Sequence, residues 1–194
     1  MNKHLPTIIL ASQSPRRIEL IKHVATDSMI APNRNVEEIY PEDLPVRDVP
    51  EYLAKLKGEA YHDLLTDDNI IISADTVVLL DGEIIGKPGD RNKSIEMLRQ
   101  ISGKCHQVVT GVYLMQKKQS RYFSEKTYVF FAELTDEQII YYVDNYHPFD
   151  KAGAYGIQDW IGYVGIKKIE GSYSNVVGLP VHRLMTELNS FISR

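Results

Sequence analysis

Apolar positions along the chain recur with two periods, and segments of the two kinds alternate. Continuous or alternating apolar runs predict strands, whereas apolar residues three and four positions apart predict helices that bury one face. The predicted strands span residues 7–11, 28–31, 70–80, 83–86, 106–115, 121–132 and 163–169. The predicted helices begin at Pro15, span residues 52–65, run from Asp90 to Ile101 and from Thr135 to about Tyr146, and start at 178–180. This alternation indicates an α/β domain with a mixed sheet and flanking helices.

Turn and cap residues mark the ends of several elements. Ser14 and Pro15 predict a helix start directly after the first strand, because Ser caps free N–H groups and Pro fits the first helical position. Asp81-Gly82 predicts a tight hairpin. Residues 41–50 hold three prolines and several acids, which is typical of a loop. Since no linker or internal repeat interrupts the pattern, residues 1–194 are predicted to form one domain, with room for two lobes.

Composition narrows the class of protein. The 194 residues are 43% hydrophobic and 25% charged, which is ordinary for a folded chain, and the net charge is -4. A mildly acidic chain is a poor candidate for non-specific nucleic-acid binding. One cysteine, Cys105, cannot form an internal disulfide, Met1 to Pro6 lacks the apolar run of a leader, and no segment is apolar enough to span a bilayer. We therefore expect a cytoplasmic protein with no nucleic-acid or membrane partner.

Common catalytic motifs are absent from the sequence. The six histidines show no zinc-type spacing. There is no nucleophile-elbow, Walker or dinucleotide-binding glycine pattern. Candidate chemistry must therefore come from residues that the fold brings together.

A first candidate site follows the first strand. The chain turns there into a helix whose free N–H groups and positive dipole end favour an anion. Arg16 and Arg17 in the first turn oppose that dipole by about 0.3–1 kcal/mol each. A bound anion would relieve this cost, although surface ion pairs would also account for both arginines.

A second candidate site is Asp75, which interrupts the long aliphatic run at 70–80. A buried carboxylate needs a cation, a metal or hydrogen-bond donors beside it. It is then a candidate general base or metal ligand. Lys87 returns towards Asp75 after the hairpin, and Lys57 lies in the apolar stripe of its helix. A structural ion pair, a snorkelling Lys57 and an exposed Lys87 are the alternative interpretations.

Two further segments offer polar groups suited to a nucleotide. Gly153 and Gly156 allow close approach of the backbone to a ligand, and Gln158 carries a donor and an acceptor in one plane that can read the pairing edge of uracil or thymine. Glu37-Glu38 supplies hard oxygen ligands of the kind that magnesium prefers. A simple turn with a surface Gln and a solvated Glu pair are the alternatives.

Taken together, these segments resemble the Maf family of nucleotide pyrophosphatases over essentially the whole chain. The resemblance rests on six stretches in order, at residues 10–17, 73–78, 86–88, 102–112, 150–158 and 171–180. It implies a Maf/ITPase-like fold with two lobes around a central cleft. It also implies a hydrolase of acid anhydrides that cleaves nucleoside triphosphates between the α- and β-phosphates with a divalent cation, Mg²⁺ or Mn²⁺. A homodimer is expected from family behaviour alone.

The resemblance assigns roles to individual residues. Asp75 matches the family's proton acceptor. Arg16, Thr76 and Gln158 match the positions associated with substrate choice, and this combination looks like the branch that acts on dTTP, UTP and modified pyrimidine nucleotides in house-cleaning of the nucleotide pool. The resemblance also gives expected catalytic, phosphate-binding or metal-binding roles to four further residues: Ser12, Lys57, Lys87 and Glu38. The expected metal ligands are Glu38 and Asp75. Gly58 departs from the Ala that often follows the helical lysine, and we expect little effect beyond lower helix propensity.

Three other functions remain open on sequence grounds. A nucleotide-binding regulator of septum formation and cell division would use the cations without turnover. An enzyme of the same fold that prefers purine or 7-methylated guanine nucleotides is disfavoured by Gln158. A plain phosphatase would release phosphate rather than pyrophosphate.

Overall fold

A computed structural model describes residues 6–193, so most of the Met1 to Pro6 segment discussed above lies outside the described residues. Strands and helices alternate along the described chain as predicted. The strands are β1 (Thr7–Leu10), β2 (Met29–Ile30), β3 (Asn69–Leu80), β4 (Glu83–Ile85), β5 (Cys105–Met115), β6 (Ser120–Phe131) and β7 (Ile166–Glu170). The α-helices are α1 (Pro15–Ile21), α2 (Val49–Glu59), α3 (Arg91–Ile101), α4 (Asp136–Tyr146), α5 (Trp160–Gly165), α6 (Tyr173–Val177) and α7 (Val181–Ile192).

The strands form a mixed sheet, which confirms the predicted fold class. Their order is β2-β1-β3-β5-β6-β7, with β4 paired to β3. Strand β1 runs parallel to both β2 and β3. Strands β4 and β7 are antiparallel to β3 and β6, respectively. The β3–β4 hairpin turns at Asp81 and Gly82, whose φ angles of 53° and 90° are the positive values that a tight primed turn needs.

The chain divides into two compact units. Unit 1 contains Met1–Asp75, Thr110–Glu125 and Gly178–Arg194, and unit 2 contains Thr76–Val109 and Lys126–Val177. The boundary therefore falls within β3, directly after Asp75. The prediction that residues 1–194 act as one domain stays a prediction.

Unit 1 has a core on each face of its strands. On one face, Ile70 and Ile72 of β3 pack with residues of α1 and α7, including Leu184 and Phe191. On the other face, Ile71 packs with Ala54 of α2. Both faces of β3 are therefore buried, as expected for a continuous aliphatic run in a sheet covered by helices.

Unit 2 has one core, which contains side chains from β3, β5 and β6 and from helices α3, α4 and α5. Helix α3 begins at Asp90, whose side chain accepts a hydrogen bond from the Lys93 backbone N–H. Helix α4 begins with a capping box between Thr135 and Gln138. Both helix starts were predicted from the sequence.

The boundaries of two predicted elements were wrong. Helix α2 begins at Val49 and ends at Glu59, followed by a separate 3₁₀ turn, instead of spanning residues 52–65. Helix α1 begins at Pro15 as predicted and ends at Ile21 after seven residues. Residues 160–165 form α5, and the strand predicted from residue 163 begins at Ile166. Among the described residues, the helices are too short or too polar to cross a membrane.

Candidate active site

The register of β3 directs Asp75 towards α2. Side chains alternate between the two faces of a strand, so residues 71, 73 and 75 share one face. Ile71 packs with Ala54, and the Ser73 hydroxyl donates a hydrogen bond of 2.6 Å to the Ala54 carbonyl. One helical turn beyond Ala54, Lys57 meets Asp75. The strand and the helix thus bring Asp75 and Lys57 together at the end of their contact.

Lys57 contacts two carboxylates. Its Nζ lies 2.5 Å from Asp75 Oδ1 and 2.9 Å from Glu38 Oε1. The side chains of Asp75 and Lys57 are 9% and 17% exposed, whereas that of Glu38 is 45% exposed. The prediction that Asp75 is a buried carboxylate with a cation beside it is confirmed. The alternative interpretation, in which Lys57 snorkels and extends its ammonium into solvent, is wrong. The Lys57 ammonium pairs with the nearly buried Asp75 instead.

The segment that carries Glu38 is tied to the end of α2 by Arg34. The Arg34 guanidinium forms a bidentate ion pair with Asp63, with N–O distances of 2.6 and 2.8 Å, and also donates to the Ala60 carbonyl. It lies 4.8 Å from the centroid of the Tyr61 ring. Sequence analysis did not identify Arg34, because its partners lie 26–29 residues away and follow no motif.

The strand-to-helix junction holds Ser12, Arg16 and Arg17. The Ser12 hydroxyl accepts a hydrogen bond of 3.2 Å from the Ser14 backbone N–H, and the Ser14 side chain forms no capping bond. Helix α1 is too short for a large dipole, so positive charge at this junction comes mainly from the two guanidinium groups.

Arg17, part of the first candidate site, is also a charged neighbour of Asp75, which the sequence did not indicate. Its Nε donates a hydrogen bond of 2.8 Å to the carbonyl of Gly178, which is 161 positions away in the sequence. Burial lowers the pKa of the Arg17 guanidinium, and the negative charges of Asp75 and Glu38 partly oppose that effect. Arg17 is therefore in electrostatic contact with both carboxylates that Lys57 binds.

Gly58 lies where α2 is closest to the strands. A Cβ atom at this position would lie 2.6 Å from Ser73 Oγ and 2.6 Å from Tyr113 Cδ1. Gly58 is buried and directly follows Lys57 in α2. The close packing explains why glycine occupies a helical position where it is intrinsically unfavourable.

Unit 2 carries Thr76, Lys87 and Gln158. Thr76 is partly exposed and directly follows Asp75 in β3. Lys87 is exposed and lies two residues beyond Ile85, which pairs with Val78 in the hairpin. The glycine-containing segment before Gln158 packs against this hairpin, because the Gly153 N–H donates to the Gly86 carbonyl at 3.1 Å. Unit 2 therefore joins the Lys87 and Gln158 segments.

The amide of Gln158 has an unused acceptor. Its Oε1 is buried and has no hydrogen-bond partner among the described residues. A buried acceptor without a partner typically costs about 1–3 kcal/mol. A ligand N–H group would satisfy this oxygen once the side-chain amide turns towards the ligand.

The sequence matches the family model described as "Maf-like protein" over residues 7–191. A protein of Bacteroides thetaiotaomicron named "dTTP/UTP pyrophosphatase" is 48% identical over 181 residues, which cover 93% of this chain and 94% of that protein. A Porphyromonas gingivalis protein of the same name is 49% identical over 186 residues, which cover 95% of this chain and 94% of that protein.

Among solved structures, the Ham1 protein of Staphylococcus aureus is similar to this fold. The TM-score is 0.57 at 17% sequence identity, and the match covers 95% of this chain and 99% of the Ham1 chain. At this identity the likeness concerns the fold alone. The family match over nearly the whole sequence, together with relatives of almost half identity, shows that this chain belongs to the Maf family.

Proposed function

We propose that this protein hydrolyses the pyrimidine nucleoside triphosphates dTTP and UTP, and modified relatives of these nucleotides, to the monophosphate and pyrophosphate. The relatives from Bacteroides and Porphyromonas carry the name of this activity. The observation that carries the proposal is the Asp75 carboxylate, which is nearly buried and lies 2.5 Å from an ammonium group. A carboxylate with one oxygen held by an ammonium group is fixed in direction, as a general base requires.

In the proposed mechanism, Lys57 holds Asp75 through Oδ1 and leaves Oδ2 to accept a proton. Asp75 removes a proton from a water molecule as its oxygen attacks phosphorus at the α–β anhydride. The bond from phosphorus to the bridging oxygen breaks, and pyrophosphate leaves with that bond's electron pair. Fixed positive groups favour this step because negative charge develops on the leaving phosphate oxygens.

The phosphates would be bound mainly by cationic groups. Arg16 and the Ser12 segment in unit 1 are positioned at a strand-to-helix junction, where backbone N–H groups also favour anions. Lys87 in unit 2 is exposed and forms no ion pair with any described residue, so its ammonium is available to a phosphate. The roles of Arg16 and Lys87 as phosphate ligands are part of the proposal.

The two carboxylates in unit 1, Glu38 and Asp75, are the proposed ligands of a divalent cation. One oxygen of each already contacts the Lys57 ammonium, so a cation would lie beside that ammonium and not in its place. The described residues include no group of three or more His, Cys, Asp or Glu side chains suited to a metal. Magnesium commonly binds through one or two carboxylates and substrate phosphates, so two protein ligands suffice. When bound, Mg²⁺ or Mn²⁺ would stabilise charge on phosphate oxygens.

Base preference would come from Gln158, with Arg16 and Thr76 as further residues for substrate choice. Uracil and thymine carry an N3–H donor between two carbonyl acceptors, and the buried Gln158 Oε1 is an acceptor that needs such a donor. Cytosine has no proton on N3, so its lone pair would face the same oxygen. This difference favours UTP and dTTP over CTP.

Product analysis tests the proposed function. Purified protein is incubated with UTP, dTTP, CTP, ATP, GTP and modified pyrimidine triphosphates, with Mg²⁺ or Mn²⁺ and with a chelator. We expect stoichiometric monophosphate and pyrophosphate from UTP and dTTP in the presence of metal. Nucleoside diphosphate with phosphate as products, or nucleotide binding without turnover, would contradict the proposal.

A further inference from the structure

Hydrogen bonds of the Tyr142 hydroxyl hold the chain on both sides of Gln158. Tyr142 of α4 is fully buried, and its hydroxyl donates a hydrogen bond of 2.8 Å to Asp159 Oδ2. The same hydroxyl oxygen accepts a hydrogen bond of 3.0 Å from the Gly156 backbone N–H. One phenol therefore connects the residue two positions before Gln158 to the residue directly after it.

Packing leaves this segment no room to shift. A Cβ at Gly156 would lie 2.5 Å from Asp159 Oδ2, so the carboxylate lies directly over the glycine. A Cβ at Gly162 would lie 1.8 Å from the Ile157 carbonyl oxygen, so the start of α5 packs against the residue before Gln158. The Asp159 N–H also donates to the Gly156 carbonyl at 3.0 Å. Gln158 is thus the partly exposed residue of a tightly held turn.

The conformation of this turn has a free-energy cost, because it leaves one buried polar atom without a hydrogen bond. It buries Gln158 Oε1 without a hydrogen-bond partner among the described residues. The Tyr142 hydroxyl and Asp159 hold the backbone on both sides of this residue. Groups held at a cost in this way are typical of sites organised in advance for a ligand.

We infer that Tyr142 and Asp159 are positioning residues for base recognition: they hold the backbone from which the Gln158 amide distinguishes uracil from cytosine. This inference rests on the proposed function. Neither Tyr142 nor Asp159 contacts the base in the proposed binding mode. Their effect reaches the substrate only through Gln158, so it should appear as a change in discrimination and in KM rather than in kcat.

The test measures kcat and KM for UTP and CTP, and the equilibrium binding of UMP and CMP. In Tyr142→Phe the ring is kept and both hydrogen bonds are lost. We expect the UTP-to-CTP ratio of kcat/KM to fall about tenfold, mainly through a higher KM for UTP. Tyr146→Phe is the matched control, because its ring stacks on Tyr142 with centroids 5.1 Å apart. This control should keep the wild-type ratio.

Asp159 provides a second pair of variants if Tyr142→Phe folds poorly. Asp159→Ala removes the acceptor and should lower the UTP-to-CTP ratio, whereas Asp159→Asn keeps an acceptor oxygen and should restore most of it. A wild-type ratio in folded Asp159→Ala would overturn the inference.

A double-mutant cycle with Gln158→Ala separates positioning from a general structural role. If Tyr142 acts through Gln158, Tyr142→Phe should not change the ratio further once Gln158 is Ala. An equal fall in both backgrounds would overturn the inference. Absence of pyrophosphate release by the wild-type protein would contradict the proposed function instead, and the ratio of UMP to CMP affinities would then decide the inference by the same comparisons.

Discussion

At the scale of single residues, the candidate site in unit 1 depends on the Lys57 ammonium, which two carboxylates share. Lys57 contacts a nearly buried carboxylate, Asp75, and a half-exposed one, Glu38. A buried ion pair adds little net stability compared with apolar residues, but loss of one partner leaves a charge without compensation in a dry environment. Lys57 is therefore required as a partner once Asp75 is placed in β3.

Replacement of Lys57 by Met should destabilise the protein and abolish pyrophosphate release. The expected loss in the free energy of unfolding is about 3–5 kcal/mol, because Asp75 is left buried without its partner. Denaturant unfolding and a pyrophosphate assay measure the two effects.

Lys55→Met is the matched control on the same helix. Lys55 is half exposed and its closest carboxylate, that of Glu59, is 3.6 Å away, so its loss should cost at most about 1 kcal/mol. The double variant Lys57→Met with Asp75→Asn should recover much of the lost stability but no activity. Equal stability of the Lys55 and Lys57 variants would show that the Asp75 pair is not buried in solution.

At the scale of elements, the position of α2 against β3 and β5 determines where Lys57 lies. The two glycines at this contact lie on opposite sides of it: Gly111 is in β5 and Gly58 is in α2. A Cβ at Gly111 of β5 would lie 2.2 Å from the Pro50 carbonyl oxygen, and one at Gly58 would meet Ser73 and Tyr113. The absence of side chains at these two positions allows the helix to approach closely enough for its lysine to reach Asp75.

Gly58→Ala tests that packing. The change gains about 1 kcal/mol of helix propensity but inserts a methyl group into a filled space, which typically costs about 1–3 kcal/mol. Since the neighbours are a bonded Ser73 hydroxyl and a buried Tyr113 ring, we expect net destabilisation, measured as a lower Tm. Gly86→Ala is the control, because a Cβ there meets nothing within 4 Å. A rise in Tm for Gly58→Ala would support the sequence-based expectation that only propensity matters.

Elements that depend on residues close together in the chain could be predicted from the sequence. The Asp81-Gly82 hairpin and the Thr135 capping box depend on residues adjacent or three apart in the chain. Helix α5 was mistaken for the start of a strand, since it depends on Gly162 packing against Ile157, which composition does not reveal. The position of Asp75 followed from its aliphatic neighbours, but the contact of Arg17 with Gly178 joins distant segments. Residues placed by such long-range contacts require the fold.

At the scale of the whole molecule, unit 2 contains a titratable group unrelated to the proposed chemistry. His106 is 1% exposed, and its Nε2 lies 2.7 Å from the Tyr155 hydroxyl. Burial lowers the pKa of His106 to about 4 and raises that of Tyr155. The folded protein therefore keeps His106 neutral at a pH where the unfolded chain binds a proton.

Stability should consequently fall in acid. Above an unfolded pKa of about 6.5 the contribution of His106 is fully present, and it is lost as the pH falls towards about 4. Between about pH 7.5 and pH 5, His106 alone should lower the free energy of unfolding by about 2 kcal/mol. Urea unfolding of wild type and His106→Gln at both pH values measures this difference. An identical pH dependence of the two proteins would contradict a buried, neutral His106.

The most direct test of the central claim compares wild type with Asp75→Asn on UTP. The variant should still fold, because Lys57 retains Glu38 as a partner at 2.9 Å. We predict that wild type releases UMP and pyrophosphate, and that Asp75→Asn binds UTP with similar affinity but releases pyrophosphate at least about 100-fold more slowly. Wild-type turnover by Asp75→Asn would contradict the role assigned to this carboxylate.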